Sequence, residues 1–431
     1  MSAPSRAAVP EATTSTRVSL TVPQGAALSL GAVLGTGVIT LPAVAAGIAG
    51  PASLLAWVAL ILLSAPLAGT FAALGARFPG AGGVASYVSR AFGERAGGAI
   101  GACFFVAVPV GAPVAAMMAA GYVADVLGGG RATSLAVCAA LILVTAGLNA
   151  GGLRLSGRAQ LAMASVLALV MVATVVIAAP HARVAHLEPF APHGWSAIGG
   201  AMAVLVWGFA GWEAVASLSG EYRNPARDLP RATAIAVVVV GVLYLALAVT
   251  ALLVLGTGTG TSQAPLSDLL ALALGDAARS VMAVVAVLLT LGAMNAYFAG
   301  ASRLGAALAR DGALPSWLSG GREPDRRPLR SLAVVAGGSL LSLGVVAVFQ
   351  VDLATALLLT TGCFTLVYVL GTAAACRLLE HGTRAWAMAV VALGSTLALA
   401  VLTGWHMAWA LGLVGLSLAY QLRRTRPVTT L

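Results

Sequence analysis

Apolar residues run in long stretches along this chain, and the short polar segments between them hold nearly all of the charge. A helix of roughly 20 apolar residues spans the hydrocarbon of a bilayer, and stretches of that length recur throughout. We read spans at 20–49, 51–76, 96–127, 133–150, 159–179, 197–220, 231–256, 277–303, 331–349, 353–376, 385–403 and 405–421. The pattern predicts an all-α polytopic membrane protein of about twelve helices, with polar tails at 1–19 and 422–431. The first apolar run is too long to be the core of a cleavable leader.

Two spans carry interruptions. Gly31–Pro42 reads GAVLGTGVITLP, with Gly31, Gly35 and Gly37 near the centre of the first span. Each glycine inside a helix costs about 1 kcal/mol relative to alanine, and Gly35-Thr36-Gly37 invites unwinding. Unwound backbone persists at membrane depth only where it lines a cavity or meets a ligand. Gly31 and Gly35 also form a GxxxG pair, which by itself reads equally well as a close helix contact. The sixth span holds a second interruption, Trp207-Gly208-Phe209-Ala210-Gly211-Trp212-Glu213.

The order of spans relates the two. Spans one to five and six to ten both have their long connection between the second and third helix, at 77–95 and 257–276. Five is odd, so the second group must insert upside down. Residues 20–179 and 197–376 are therefore expected to be inverted repeats, and 385–421 adds two further helices. Interruptions at matching places in inverted repeats point to a transporter's binding site.

Composition narrows the class. The chain is 60% hydrophobic and 9% charged, which excludes an ordinary soluble domain. Its net charge of +10 raises the question of a nucleic-acid partner. All 24 basic residues are arginine, however, and they sit between the spans. With the N-terminus inside, all but Arg131, Arg183 and Arg279 fall on the cytoplasmic side, so the charge reads as topology. Both termini are expected in the cytoplasm and the protein in the cell membrane. Cys103, Cys138, Cys363 and Cys376 lie in or at the ends of apolar spans without metal or disulfide spacing. His181, His186 and His193 crowd one outer loop, with no cysteine or paired carboxylate to complete a metal site. Neither a metal nor a cofactor is expected. Glu213 stands alone as an acid at membrane depth, which argues against an intramembrane enzyme.

The segments LGTGVITLP, RFPGAGGVASYVSRAFG (77–93), WGFAGWEAVASLSGEYRNPARDLPRA (207–232) and SRLGAALARDGALP (302–315) resemble the amino acid–polyamine–organocation (APC) superfamily. Among its branches the chain is most similar to the bacterial L-methionine/branched-chain amino-acid exporters. Their pattern resembles GLEA…SEFKNPERDFPRA where this chain has GWEAVASLSGEYRNPARDLPRA. The resemblance implies a five-plus-five inverted-repeat (LeuT-like) fold with broken helices 1 and 6. It implies secondary transport of an amino acid by alternating access, and its branch implies export. A proton-driven importer, an exchanger of other amines and a non-transporting sensor are the alternatives. Some members of the superfamily place a lysine in helix 5 as a stand-in for a cation; this chain has no lysine, so that device is absent.

On this reading the site is built from Gly35, Thr36, Gly37 and Val38 in helix 1 and Gly208, Phe209, Ala210 and Gly211 in helix 6. Free N–H groups opening the second half of helix 1 suit a carboxylate, and free carbonyls at both breaks suit an ammonium. Trp207 matches an aromatic gate in related exchangers, or is a large packing residue. Glu213 costs at least ~2.5–3.5 kcal/mol at membrane depth. It either takes up and releases a proton or caps the half-helix it begins. Asn295, beside Met294 and Tyr297, is a pocket residue or an interhelical partner; Thr360 and Thr361 are weaker candidates. Glu221 and Arg227, with Asn224, Pro225 and Pro230, form a cytoplasmic elbow that is either a gate of ion pairs or a solvated loop. Val38, Ile39, Met117, Met118, Phe209, Ala210 and Met294 are expected to make an apolar lining, suited to methionine, leucine, isoleucine and valine.

Overall fold

The computed structural model describes residues 20–78, 83–153, 157–213, 222, 224–320 and 327–424, and their regular structure is helical apart from one bridge between Leu20 and Tyr222. The first span is two helices, α1 (Val22–Val33) and α2 (Leu41–Ala49), joined by a 3-10 turn over Thr36–Ile39. Then come α3 (Ser53–Arg77), α4 (Gly83–Phe92), α5 (Glu94–Leu127), α6 (Gly130–Ala150) and α7 (Gly157–Ala178). The sixth span opens with α8 (Ala197–Leu205) and a 3-10 turn over Val206–Phe209. After it follow α9 (Pro225–Leu255), α10 (Pro265–Leu274), α11 (Ala277–Arg310), α12 (Leu329–Val348), α13 (Leu353–Leu378), α14 (Arg384–Thr403) and α15 (Met407–Arg424).

Among the described residues nine segments are long and apolar enough to cross a membrane. Two of them contain two helices each, α2 with α3 and α14 with α15, while α8 is counted among the shorter apolar helices. The count thus agrees with about twelve spans once the broken first and sixth are included.

Two expectations from the hydropathy pattern change. The seventh span begins at Pro225, six residues before the apolar stretch at 231. Asn224 precedes it, Pro225 opens its first turn and Asp228 lies in that turn, all favourable at a helix start. Arg227 therefore belongs to the exposed first turn of α9, not to a loop; Glu221 lies outside the described residues. The two long connections are not plain loops either: one holds α4, the other α10.

At the centre of the bundle lies α5, the most enclosed of the long helices. It packs along α11, and both are 34 residues long. Helix α3 lies on α9, α1 on α7 and α9, and α2 on α8. Apolar side chains gain nothing by leaving lipid for a helix contact, so such contacts favour small residues that let backbones approach. Gly47 and Gly260 meet in this way: a Cβ on Gly47 would lie 2.9 Å from the Gly260 carbonyl oxygen.

The two ends of the bundle differ in charge. One end carries Arg77, which pairs with Glu380 at 3.0 Å, and Arg95, whose carbonyl accepts from Gln421. Arg327 is there too, donating to the Ala150 carbonyl. The opposite end carries Arg131, Arg183 and Arg279. There the Arg131 guanidinium donates to the Val346 carbonyl at the end of α12.

Candidate functional site

Helix α1 stops at Val33 because Leu34 leaves the helical region (φ −70°, ψ 76°) and Gly35 is extended. In the sixth span the backbone turns extended at Ala210, and Gly211 takes φ +123°, a conformation that a residue with a side chain rarely adopts. Each interruption thus rests on local backbone geometry. The two lie against one another: a Cβ on Gly37 would come within 2.6 Å of Trp207 Cδ1, and one on Gly208 within 2.8 Å of Leu41 Cδ1.

A single hydroxyl joins them. Tyr244 Oη, on α9, is 3.1 Å from the carbonyl oxygen of Val33 and 3.0 Å from that of Gly208. Its ring is held edge-on between Trp57 and Phe209, with centroids 5.5 Å from each.

The breaks line the inner end of a cavity of about 1840 Å³. Gly35, Thr36, Gly37, Trp207, Gly208, Ala210, Gly211 and Glu213 form that end, with Val108, Met163, Met294, Tyr297 and Phe364 beside them. From there the cavity runs to Arg90, Glu94, Arg95, Arg303 and Asp311 at the arginine-rich end. None of its lining residues belongs to the opposite end of the bundle.

That opposite end is closed by α10 and the turn before it. Tyr122 donates to the Ile39 carbonyl and accepts from the Leu266 N–H at 3.3 Å, which joins α5, the end of the first break and α10. Arg279 Nη1 reaches Asp125 at 2.7 Å and Asp268 at 2.9 Å, tying α11 to α5 and α10.

Glu213 faces the cavity and is half-buried. Its Oε2 accepts from the Gly211 N–H at 2.9 Å and from the Tyr368 hydroxyl at 2.6 Å. The acid therefore closes the turn that precedes it, touches α13 and lies at the cavity wall.

Trp207 is half-buried over Gly37 and Gly111, with its ring perpendicular to that of Phe364 at 6.5 Å. A Cβ on Gly31 would meet Ala164 of α7 at an ordinary 3.5 Å, and one on Gly35 would meet the Val33 carbonyl oxygen of its own chain segment at 3.9 Å. Neither makes the close helix contact that a GxxxG pair predicts.

Three expected site residues lie elsewhere. Asn295 is buried, away from the cavity, and its side-chain oxygen accepts from Asn149 at 2.7 Å, between α6 and α11. Val38 and Phe209 belong to the breaks but point into the protein, Phe209 against Trp57. Ile39 and Met118 are likewise fully buried. Of the expected apolar lining, Ala210 and Met294 do face the cavity; that wall also includes Val108, Met163 and Phe364.

Sequence reasoning missed Tyr122, Tyr244 and Tyr368. A signal existed, since a tyrosine inside an apolar span must find a partner for its hydroxyl. Among the outer-loop histidines, His186 contacts the Leu253 carbonyl at 2.8 Å and His193 that of Ile48 at 3.0 Å, so both pin the loop to helix ends. Among the described residues no cluster suits a metal ion.

The chain matches the family model described as amino acid permease over residues 20–405. It is 32% identical over 374 residues to YecA of Bacillus subtilis, named an uncharacterized amino acid permease, covering 87% of this chain and 88% of that protein. Over 377 residues it is 31% identical to YjeH of Escherichia coli, named an L-methionine/branched-chain amino acid exporter, with coverage of 85% and 87%. A Mycobacterium tuberculosis transporter, Rv1999c, is 28% identical over 312 residues, 72% of this chain and 69% of its own.

Proposed function

The chain belongs to the amino acid permease family of the APC superfamily, and on that premise we propose that it exports neutral apolar amino acids by alternating access. Methionine, leucine, isoleucine and valine are the substrates proposed. The observation that carries this reading is the inner end of the large cavity, where two broken helices offer backbone polar groups inside an apolar wall. The 3-10 turn opening at Thr36 begins with N–H groups that have no carbonyl partner within the turn, and these suit a carboxylate. Carbonyls at the two breaks suit the ammonium.

The side chain then meets Val108, Met163, Met294 and Phe364. A cationic side chain needs an acid there beyond Glu213, and an acidic one needs an arginine; the arginines line the far end of the cavity. Methionine in the wall adapts to several apolar shapes, and one methylene discriminates by only ~1–3 kcal/mol. Overlapping specificity follows. The export direction draws on the likeness to the Escherichia coli exporter.

Residues 20–179 and 197–376 are read as the two inverted repeats. Each opens with a broken helix and has a helix, α4 or α10, in the connection between its second and third spans. The equal and mutually packed α5 and α11 take the same place in each. With the arginine-rich end and both termini in the cytoplasm, the cavity is open inward. Trp207 would gate it, and Glu213 would carry a coupling proton.

The deciding experiment is counterflow and efflux of a labelled amino-acid panel in vesicles at controlled pH on both sides. Methionine, leucine, isoleucine and valine are expected to compete with one another, with arginine and glutamate inert. Selective transport of either charged amino acid overturns the substrate class. Cells overproducing the protein are expected to accumulate less labelled methionine, and greater accumulation overturns the direction.

A further inference from the structure

Trp207 lies at the inner end of the large cavity with a glycine at each edge of its indole. At one edge is Gly37 in the first break, where a Cβ would stand 2.6 Å from Cδ1 and 3.1 Å from Nε1. At the other is Gly111 on α5, where a Cβ would stand 3.3 Å from both Cη2 and Cζ3. The first two atoms belong to the pyrrole ring, the second two to the far side of the benzo ring. One side chain thus spans from the first break to the central helix, with the Phe364 ring of α13 perpendicular to it.

Gly111 is buried and helical, so its backbone conformation is one that any residue adopts. Glycine inside a helix costs about 1 kcal/mol relative to alanine. The nearby cavity positions on α5 are Ala107, Val108, Ala112 and Ala115, and only at the indole does this stretch carry no side chain. A Cβ at 111 would also meet Thr360 of α13, whose Cγ2 would be 2.9 Å away. The Thr360 hydroxyl is turned to the Ala356 carbonyl of its own helix.

We propose that Gly111 is a positioning residue for Trp207, acting by leaving the benzo ring a seat on α5. A contact of 3.3 Å requires a neighbour to give by a few tenths of an ångström. The indole is rigid, and retreat toward the first break is blocked by Gly37 at its opposite edge. A methyl at 111 therefore tilts the ring out of its place in the cavity. The proposal rests on the reading of Trp207 as a gate.

The test uses the full-length protein in proteoliposomes, with leucine as the probe. Its affinity, its efflux rate and the unfolding midpoint are measured together. Gly111→Ala is expected to lower efflux about tenfold, with affinity within about twofold and the midpoint unchanged. Phenylalanine is shorter than the indole, so Trp207→Phe added to Gly111→Ala should bring efflux to the level of Trp207→Phe alone. Thr360→Ser removes Cγ2, and added to Gly111→Ala it should restore little. Unchanged efflux in Gly111→Ala overturns the proposal. So does a loss that Thr360→Ser relieves and Trp207→Phe does not, which would assign the glycine to the contact between α5 and α13. Should Gly111→Ala not purify, the double variant with Trp207→Phe decides: efflux at the level of Trp207→Phe alone upholds the seat, and a second failure to fold overturns it. A Trp207→Phe protein that matches wild type in efflux, beside an impaired Gly111→Ala, overturns the gate reading and this proposal with it. Wild type that binds no leucine overturns the substrate class, and the proposal falls with it.

Discussion

The Tyr368 hydroxyl donates to Glu213 Oε2 across 2.6 Å, and that same oxygen accepts the Gly211 N–H, so one carboxylate oxygen links α13 to the break in the sixth span. Glu213 is thus a structural partner of the break and a cavity-facing acid together. The backbone contact is made by this oxygen, and the proton role proposed above would act through the same atom. On the proposed proton role, adding a proton to this carboxylate would weaken what it offers to both donors and so couple protonation to the geometry of the break.

Two variants separate these roles. Hydrogen bonds to charged groups contribute about 1.5–3 kcal/mol, so Tyr368→Phe is expected to slow transport roughly 10- to 100-fold while flux still depends on pH. Glu213→Gln keeps the shape but cannot titrate. Exchange should survive in it, and net flux should lose its pH dependence. Vesicle flux measured across a pH series checks both; a Glu213→Gln protein whose remaining flux follows the wild-type profile refutes the proton role.

Gly37 gives the second prediction. Its missing Cβ is what lets Trp207 lie over the break, since that atom would sit 2.6 Å from Cδ1 of the indole. Gly37→Ala should therefore displace Trp207 and lower transport by about tenfold or more, a coupling expected between residues in contact. Gly31→Ala adds a methyl at ordinary distance from Ala164 and should stay within about twofold. Trp207→Ala in the Gly37→Ala background should recover part of the loss. Flux normalised to membrane protein tests the series, and equal mild effects at both glycines would refute the special role of Gly37.

Tyr244 supplies the third. Its hydroxyl lies between the Val33 and Gly208 carbonyls, one at each break. Tyr244→Phe leaves the ring packing against Trp57 and Phe209 intact. It should cost about 1–3 kcal/mol, because the two buried carbonyls lose the one O–H that they share, seen as a lower unfolding midpoint together with slower flux. A variant as stable and as active as wild type would show that the bridge is dispensable.

How much of this was legible in the sequence follows from what kind of signal each feature leaves. Spans and breaks were legible because apolar run length and mid-span glycines are local properties. Gly35, Gly37, Gly208 and Gly211 came from that signal alone. Which face a side chain takes within a break is tertiary, so Val38 and Phe209 turn into the protein while their neighbours line the cavity. Asn295 shows the same limit: mid-span depth does not tell whether a side chain turns to the cavity or to Asn149 on α6. The hydroxyls of Tyr122, Tyr244 and Tyr368 were illegible as partners because their acceptors lie 83, 211, 36 and 155 residues away. Helix α9 was begun late because hydropathy weighs Pro225–Arg231 as polar, while capping chemistry reads it as a helix start.

At the closed end, Arg279 carries the fourth prediction. It bonds Asp125 and Asp268 while about a third exposed, so each pair contributes no more than about 1 kcal/mol after solvent screening. Arg279→Gln should then loosen α10 only severalfold and leave folding unchanged. Ala264→Cys is 2% exposed at wild type and makes a suitable probe. Its labelling by an impermeant maleimide from that end should rise about threefold to tenfold when Arg279→Gln is added. High salt should raise it in the parent and little in the variant. Unchanged labelling under both treatments would remove the ion pairs from the closing of this end.

The last prediction fixes which way the cavity faces. Arg77, Arg95, Arg327 and Arg423 share one end with the cavity mouth, and Arg131, Arg183 and Arg279 share the other with α10. Arginine in short loops is retained on the cytoplasmic side of a bacterial-type membrane, so the crowded end should be inside. Reporters fused after Arg158 and Arg327 should then read cytoplasmic, and those after Arg131 and Arg279 extracellular. The result carries more than topology. A substrate that enters this cavity comes from the side its mouth faces, and Tyr122 with Arg279 closes the side it must leave by. Reporters of opposite sense would turn the same coordinates into an outward-open state, with Tyr122 and Arg279 as the cytoplasmic seal, and would refute the inward-facing reading at once.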